Sequence, residues 1–353
     1  MKSRLFFGEN VNKSLIKSNI KRKGWTLCIG AGTSVPIFPS WIDLVKSIIR
    51  EISPNISNNE IHNILSKYSL DTLIQAAYNL KGSNDFSQWL SEKLYANIRD
   101  TIEPSQWNTF RKIFTAVNAN TYSDKDWKTF INIRDTIFKE TTAYSLAKLI
   151  VATYETEYFP HSILSFNAEP LLYALIQSFI REKSLGKKHI GNCPELVNLM
   201  TLSIASSSRK RIPYYFCHGA LLDWIAYKND KRFHTDSRLV FLENQYLQMS
   251  NNAFSWQSSI FLNACISTIV IFVGISLSDP NVRKWLSWVQ AERNKDIDMK
   301  VNSTQHFWIT KCPNNKATMD WMEASVYHLG VRIIWIKEWS QITDAIKCII
   351  GYE

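Results

Sequence analysis

The chain has 353 residues, with 41 Lys and Arg against 31 Asp and Glu, for a formal net charge of +10. At roughly 100–200 residues per domain this is one large domain or two modest ones, and 45% hydrophobic with 20% charged residues is the composition of a chain that folds. Disordered, collagen-like and low-complexity classes are excluded, and the six cysteines (28, 193, 217, 265, 312 and 348) form no Cys-x-x-Cys pair for structural zinc or thiol exchange.

From Met1 to Lys23 there are seven basic residues and one acid, Glu9, so more than half of the net charge lies there. A solvated amphipathic helix accounts for this, and so would contact with nucleic acid, an acidic partner or a neighbouring subunit. Aromatic residues are not interleaved there as stacking platforms, which leaves nucleic acid at most an indirect partner. The segment lacks an unbroken apolar run with a cleavage site, and the expected location is a reducing cytoplasm.

After Lys23, GWTLCIG reads as a buried strand that ends in the tight turn Gly30-Ala31-Gly32-Thr33-Ser34. Ser40 then caps a helix with Asp43 three residues on, and Trp41, Val45, Ile48 and Ile52 share one face. Between Trp41 and Pro160 the spacing is helical, over Leu70 to Leu80, Phe86 to Ile98, Trp107 to Val117 and Thr142 to Tyr154. This predicts an all-helical insertion, 41–160, within an α/β domain formed by 1–40 and 161–353. Beyond His161, six short β-rich runs alternate with helical segments: SILSF, PYYFC, RLVFL, TIVIFVG, HFWIT and VRIIWI. With Trp25 to Ile29 they make seven predicted strands. The fold class is therefore α/β, a mostly parallel Rossmann-like sheet with helices on both faces. The apolar stretch Ser258 to Leu277 reads as a helix and then a buried strand, since strands covered on both faces are continuously apolar; a membrane span is the lesser alternative.

Ligands of such sheets bind beyond the carboxyl ends of the strands. The Gly30 turn suits a pyrophosphate, but Val35 stands where a dehydrogenase fingerprint needs its third glycine, and this disfavours a hydride-transfer site. Asn167 follows SILSF; its carboxamide suits a ribose hydroxyl or a water, while Asn167 and Glu169 also make ordinary helix caps. His218 lies between PYYFC and Gly219, placed either as a general base or as a structural histidine. In the loop Gly274 to Asn281, Ser278 or Asp279 suits an N-cap, whereas Gly274 and Ser276 come too early for capping and suit a phosphate or ribose. Four of only eleven glycines (30, 32, 219, 274) fall in these loops, which argues for one shared ligand site.

Taken in order, Gly30-Ala31-Gly32-Thr33-Ser34, Ser165-Phe166-Asn167, Cys217-His218-Gly219 and Gly274-Ile275-Ser276-Leu277-Ser278-Asp279-Pro280-Asn281 resemble the sirtuin-like NAD-binding fold, in particular the bacterial domains that hydrolyse NAD in antiphage defence. The resemblance also covers Leu239 to Tyr246 and the closing run Val331 to Ile336. It implies that the turn Gly30, Ala31, Gly32, Thr33 and Ser34 holds the dinucleotide phosphates and that Asn167 orients the nicotinamide ribose or the attacking water. It further implies that His218 is the base, and that Gly274, Ser276 and Asp279 contact the adenosine half. The family's Thr-Thr-Asn-Tyr-Asp is Ser165-Phe166-Asn167-Ala168-Glu169 here, so the acid is kept in altered form. The zinc-binding cysteines of the protein-deacylating members have no counterpart, which makes NAD-dependent deacylation the less favoured reading. The expectation is an NAD glycohydrolase with NAD as substrate and no metal. It is a toxic effector that acts as an oligomer or with a HerA-type ATPase or Argonaute-like partner, away from membranes. The alternative is a module that senses NAD or ADP-ribose without cleaving it.

Overall fold

Seven strands lie side by side in the computed structural model, which describes residues 13–82, 86–114, 122–154, 156–185, 197–200, 212–221, 240–251, 255–295 and 306–352. They are β1 (Trp25–Ile29), β2 (Ser162–Ser165), β3 (Val197–Met200), β4 (Ile212–Phe216), β5 (Ile269–Val273), β6 (His306–Lys311) and β7 (Val331–Ile336), in the order β3-β4-β2-β1-β5-β6-β7. Every pairing is parallel. With the outermost β3 set aside, the other six run in doubly wound order, and the order reverses between β1 and β5.

Strand side chains alternate between two apolar layers, as the period of two requires. Leu27, Ile29, Ile163, Ile271, Val273, Ile334 and Ile336 face one layer. Cys28, Leu164, Val270, Phe272, Trp308 and Ile333 face the other. The first layer is closed by α1 (Lys13–Lys23) and by the helical block described next. The second is closed by three helices that reach it through Phe261, Trp285 and Val326. The apolar stretch from Ser258 forms part of one of these helices and then β5, as predicted. Among the described residues no helix is long and apolar enough to cross a membrane.

Between Trp41 and Pro160 the described residues form helices and no strand: α2 (Trp41–Ile52), α3 (Asn58–Lys67), α4 (Leu70–Lys81), α5 (Phe86–Leu94), α6 (Ala96–Thr101), α7 (Pro104–Phe114), α8 (Asp124–Ile133), a π-helical turn Arg134–Phe138, and α9 (Thr142–Ala152). Ser40 caps α2 as expected, accepting from the Asp43 N–H. The predicted helix Phe86 to Ile98 is two, broken at Tyr95, whose buried ring turns inward so that its hydroxyl donates to the Leu221 carbonyl. The end of the predicted Trp107 to Val117 helix lies outside the described residues, as do residues 1–12 of the basic segment. Helices α3 and α8 escape a reading by apolar spacing, yet both start at capping boxes, Ser57 with Glu60 and Ser123 with Asp126. Buried side chains of the block, from Leu44 to Val151, run without a break into the first layer under the sheet.

Two strand assignments change. The run RLVFL is not a strand over its described part, 240–242, which leads into α11 (Glu243–Asn251) beyond α10 (Leu171–Glu182). Val240 and Phe241 do face opposite layers, the pattern that mimics a strand. Their N–H groups, however, go to the His218 carbonyl and the Gln245 side chain instead of a neighbouring strand. The seventh strand is instead β3, only four residues long with a central Asn198 and paired to β4 alone, too short to announce itself in sequence. The remaining helices are α12 (Trp256–Ser267), α13 (Pro280–Arg293), α14 (Lys316–Tyr327) and α15 (Ile342–Ile350).

Candidate active site at the strand carboxyl ends

The reversal of strand order puts the loops after β1 and β5 against each other. Gly32 N–H donates to the Gly274 carbonyl at 3.0 Å, and Thr33 N–H to the Gly30 carbonyl at 3.0 Å. A Cβ at Gly30 would lie 2.6 Å from the Gly274 oxygen, and one at Gly274, where φ is +66°, would lie 2.6 Å from the Thr33 nitrogen. Three of the four loop glycines are therefore required by the approach of two backbones, which accounts for much of the glycine clustering that sequence attributes to a ligand. Gly219 is separate, with φ at +76°.

A polar cluster is built directly on this turn. The Asn167 carboxamide is 1% exposed, and its Nδ2 faces Thr33 Oγ1 at 3.1 Å, Ser34 Oγ at 3.3 Å and Glu169 Oε1 at 2.8 Å. Ser34 donates to the same Glu169 oxygen, and the other carboxylate oxygen accepts the Leu171 N–H at the start of α10. Glu169 therefore does cap that helix, as one of the two sequence readings held, and it also anchors Asn167. Burial pushes its carboxyl up to about 7 against the lowering effect of these three hydrogen bonds. Asn167 Oδ1 is buried with no hydrogen-bond partner among the described residues. An orphaned buried acceptor of this kind costs free energy unless a water or ligand meets it.

His218 stands one strand over, at the end of β4. Its imidazole contacts the Phe166 ring edge-on at a centroid distance of 4.8 Å and the Tyr246 ring at 5.4 Å. Nε2 is buried and has no partner among the described residues. Burial lowers the imidazole pKa below the ordinary histidine value, opposed by the carboxylates of Asp279 and Asp71, so the ring is neutral at pH 7. Tyr246 donates its hydroxyl to Asp279 Oδ2, and burial followed by the Asp279 charge raises its pKa. Asp279 Oδ1 caps α13, accepting from Asn281 N–H at 2.8 Å and Val282 N–H at 3.3 Å.

The structure thus gathers Gly30, Gly32, Thr33, Ser34, Asn167 and Gly274 around one turn. His218 joins them through Phe166, and Asp279 joins through Tyr246. Ala31 lies in the same short helical turn, Ala31–Thr33. Ser276 is set apart: it is exposed, with its hydroxyl 2.6 Å from that of Ser278. Sequence reasoning left Glu169 without a settled role and gave none to Tyr246 or Asp71; the latter two come from helices whose place beside His218 is fixed only by tertiary packing. Cys217, next to His218, is an inert thiol, since burial pushes its pKa up to about 12. Among the described residues no three His, Cys, Asp or Glu side chains gather as a metal site.

A doubly wound parallel sheet with a buried polar cluster at its switch point is the arrangement in which α/β proteins place their ligand sites. Residues 175–329 match the family model of the SIR2-like domain. The match covers His218, Tyr246, Gly274 and Asp279 and supports a sirtuin-like relationship with NAD-related chemistry; the glycine turn and Asn167 precede it. No curated protein matches the chain.

Proposed function

We propose that the protein is an NAD glycohydrolase acting at the Asn167–His218 site. The observation that carries this reading is the pair of buried, unpartnered polar atoms, Asn167 Oδ1 and His218 Nε2, on adjacent strand ends beside the β1 turn. In the reaction the bond between C1′ of the ribose and the nicotinamide nitrogen breaks, and its electron pair neutralises the cationic ring. Water adds to C1′, and its proton passes to His218 and then to solvent, leaving nicotinamide, ADP-ribose and H⁺. The transition state is oxocarbenium-like, so positioning and electrostatics supply most of the acceleration. Asn167, its amide fixed by Thr33, Ser34 and Glu169, offers Oδ1 to the water or a ribose hydroxyl. His218, kept neutral by burial, accepts the proton, a contribution of roughly 10²–10⁴ in rate.

The test is incubation of the purified chain with NAD, with nicotinamide and ADP-ribose followed by chromatography for the parent and for Asn167→Ala. Release by the parent and not by the variant is the expected result. A second reading, an NAD or ADP-ribose sensor, is favoured by one observation: around Asn167 the family's acid is replaced by Glu169, which is committed to Asn167, Ser34 and the Leu171 N–H. Saturable NAD binding without nicotinamide release would establish it. A defence role and assembly with further copies or a partner complete the proposal; a monomer mass by light scattering at micromolar concentration, with and without NAD, would contradict self-assembly.

A further inference from the structure

The imidazole of His218 is walled on two sides, and only one wall belongs to the sheet. Phe166 is the residue after β2, whereas Tyr246 belongs to α11, whose lead-in at 240–242 is tied to the histidine itself: the Val240 N–H donates to the His218 carbonyl at 3.0 Å. From there Phe241 packs on Trp41 of α2 at a centroid distance of 5.3 Å. The Thr72 hydroxyl of α4 donates to Glu243 Oε1 at 2.8 Å, and the Asn244 N–H donates to Gln75 at 3.4 Å. Gln245 Oε1 accepts from the N–H groups of Phe241 and Leu242, both at 3.2 Å, which closes the start of α11 on itself. One turn later the Tyr246 ring meets the imidazole, and its hydroxyl reaches Asp279 at the N-terminus of α13. The ring is therefore tied at both ends, through its helix to the helical block and through its hydroxyl to α13.

We propose that Tyr246 is a positioning residue for His218, holding the imidazole against Phe166 with Nε2 directed into the site, and that α11 carries this hold from the helical block. The proposal rests on the reading of His218 as the general base. An imidazole without a hydrogen bond to Nε2 is set in place by packing, and its orientation decides whether it reaches the attacking water; a misplacement of about 1 Å can cost on the order of 10²-fold in rate. The charged groups that face the ring are Asp279 from the start of α13 and Asp71 from α4, both favouring the protonated imidazole, while burial under Tyr246 favours the neutral one.

The experiment compares the full chain with Tyr246→Ala and Tyr246→Phe by two readouts, NAD turnover and the NMR titration of the His218 ring in protein carrying ¹³C-labelled histidine, assigned with His218→Ala. In Tyr246→Ala, loss of the wall is expected to lower kcat by about 10², to leave KM within a few-fold, and to move the His218 titration up toward that of a free histidine. Tyr246→Phe keeps the wall and frees Asp279, so it should lower kcat only a few-fold and also move the titration upward; this variant carries the test if the alanine variant does not fold. Thr72→Val, which releases Glu243 together with the Ser69 hydroxyl, should shift the titration in the same direction by less. A His218 ring that titrates as in the parent in both Tyr246 variants would overturn the proposal. The titration is read without NAD, so a parent chain that fails to cleave NAD would sink the hydrolase reading while leaving this test standing.

Discussion

The two edges of the sheet both bury polar side chains, and they treat them in opposite ways. At the amino edge Thr26, Ser162 and Thr268 satisfy one another: Thr26 and Ser162 hydroxyls lie 2.9 Å apart, and Thr268 reaches Thr26 at 2.8 Å and the Ala264 carbonyl at 2.8 Å. His306, 1% exposed on the same edge, accepts the Val270 N–H on Nδ1 at 3.1 Å. At the carboxyl edge Asn167 is just as enclosed and His218 partly so, yet each leaves a buried atom without a partner among the described residues. Completed hydrogen bonding is the signature of a polar group kept for the fold, and an orphaned atom beside others of its kind marks a place kept for something else. The two histidines make the contrast in one residue type: burial lowers the pKa of both, but Nδ1 of His306 is met by the Val270 N–H while Nε2 of His218 has no partner among the described residues.

Substitutions at the two edges should separate these roles. The largest effect is expected from His218→Ala and Asn167→Ala, each lowering NAD turnover by roughly 10²–10⁴ with thermal unfolding little changed; an unfolding temperature that falls in step with activity would erase the distinction between the edges.

Next comes Glu169. Its folded pKa of about 7 lies above the ordinary carboxylate range, so the native state holds this proton more tightly than the unfolded chain. Stability should fall as pH rises from about 4.5 to 7 and then level off, a loss of about 3 kcal/mol at 1.36 kcal/mol per pKa unit. Glu169→Gln should flatten that slope in thermal unfolding followed against pH.

Gly274→Ala tests the packing of the two loops. A Cβ forced to within 2.6 Å of the Thr33 nitrogen, at a positive φ, should destabilise by about 3 kcal/mol, measured by denaturant unfolding. A neutral outcome would hand this glycine back to a ligand.

The smallest effect belongs to His306. Arg293 and Lys23 add to burial in lowering its pKa, so its contribution to stability is present above about pH 6.5, the ordinary histidine value, and is lost as pH falls below it. His306→Asn, whose Oδ1 can replace Nδ1 as acceptor of the Val270 N–H, should reduce this acid-side loss in thermal unfolding followed against pH and leave NAD turnover unchanged.

What could be read in the sequence follows the same division. Six of the seven strands announce themselves, β1, β2 and β5 as short runs buried on both faces and β4, β6 and β7 as short runs rich in β-branched and aromatic residues, and the motif residues Asn167 and His218 come just after strands, where the parallel sheet must place them at one edge. Val240 and Phe241 misled because their alternation is that of a strand, although their N–H groups answer to His218 and Gln245. Tyr246 and Asp71 could not be found from spacing, since they reach His218 from helices brought together only when the block folds onto the sheet. The loop glycines were found for an incomplete reason: sequence saw a phosphate cradle, and the structure shows two backbones that need each other's space.

The most direct test of the central claim is nicotinamide release from NAD by the parent, His218→Ala and His306→Asn, run side by side on folded protein. Release by the parent and His306→Asn, with none above background from His218→Ala, is the expected result. Equal release from all three, or loss in His306→Asn with retention in His218→Ala, would contradict the assignment of chemistry to the carboxyl edge.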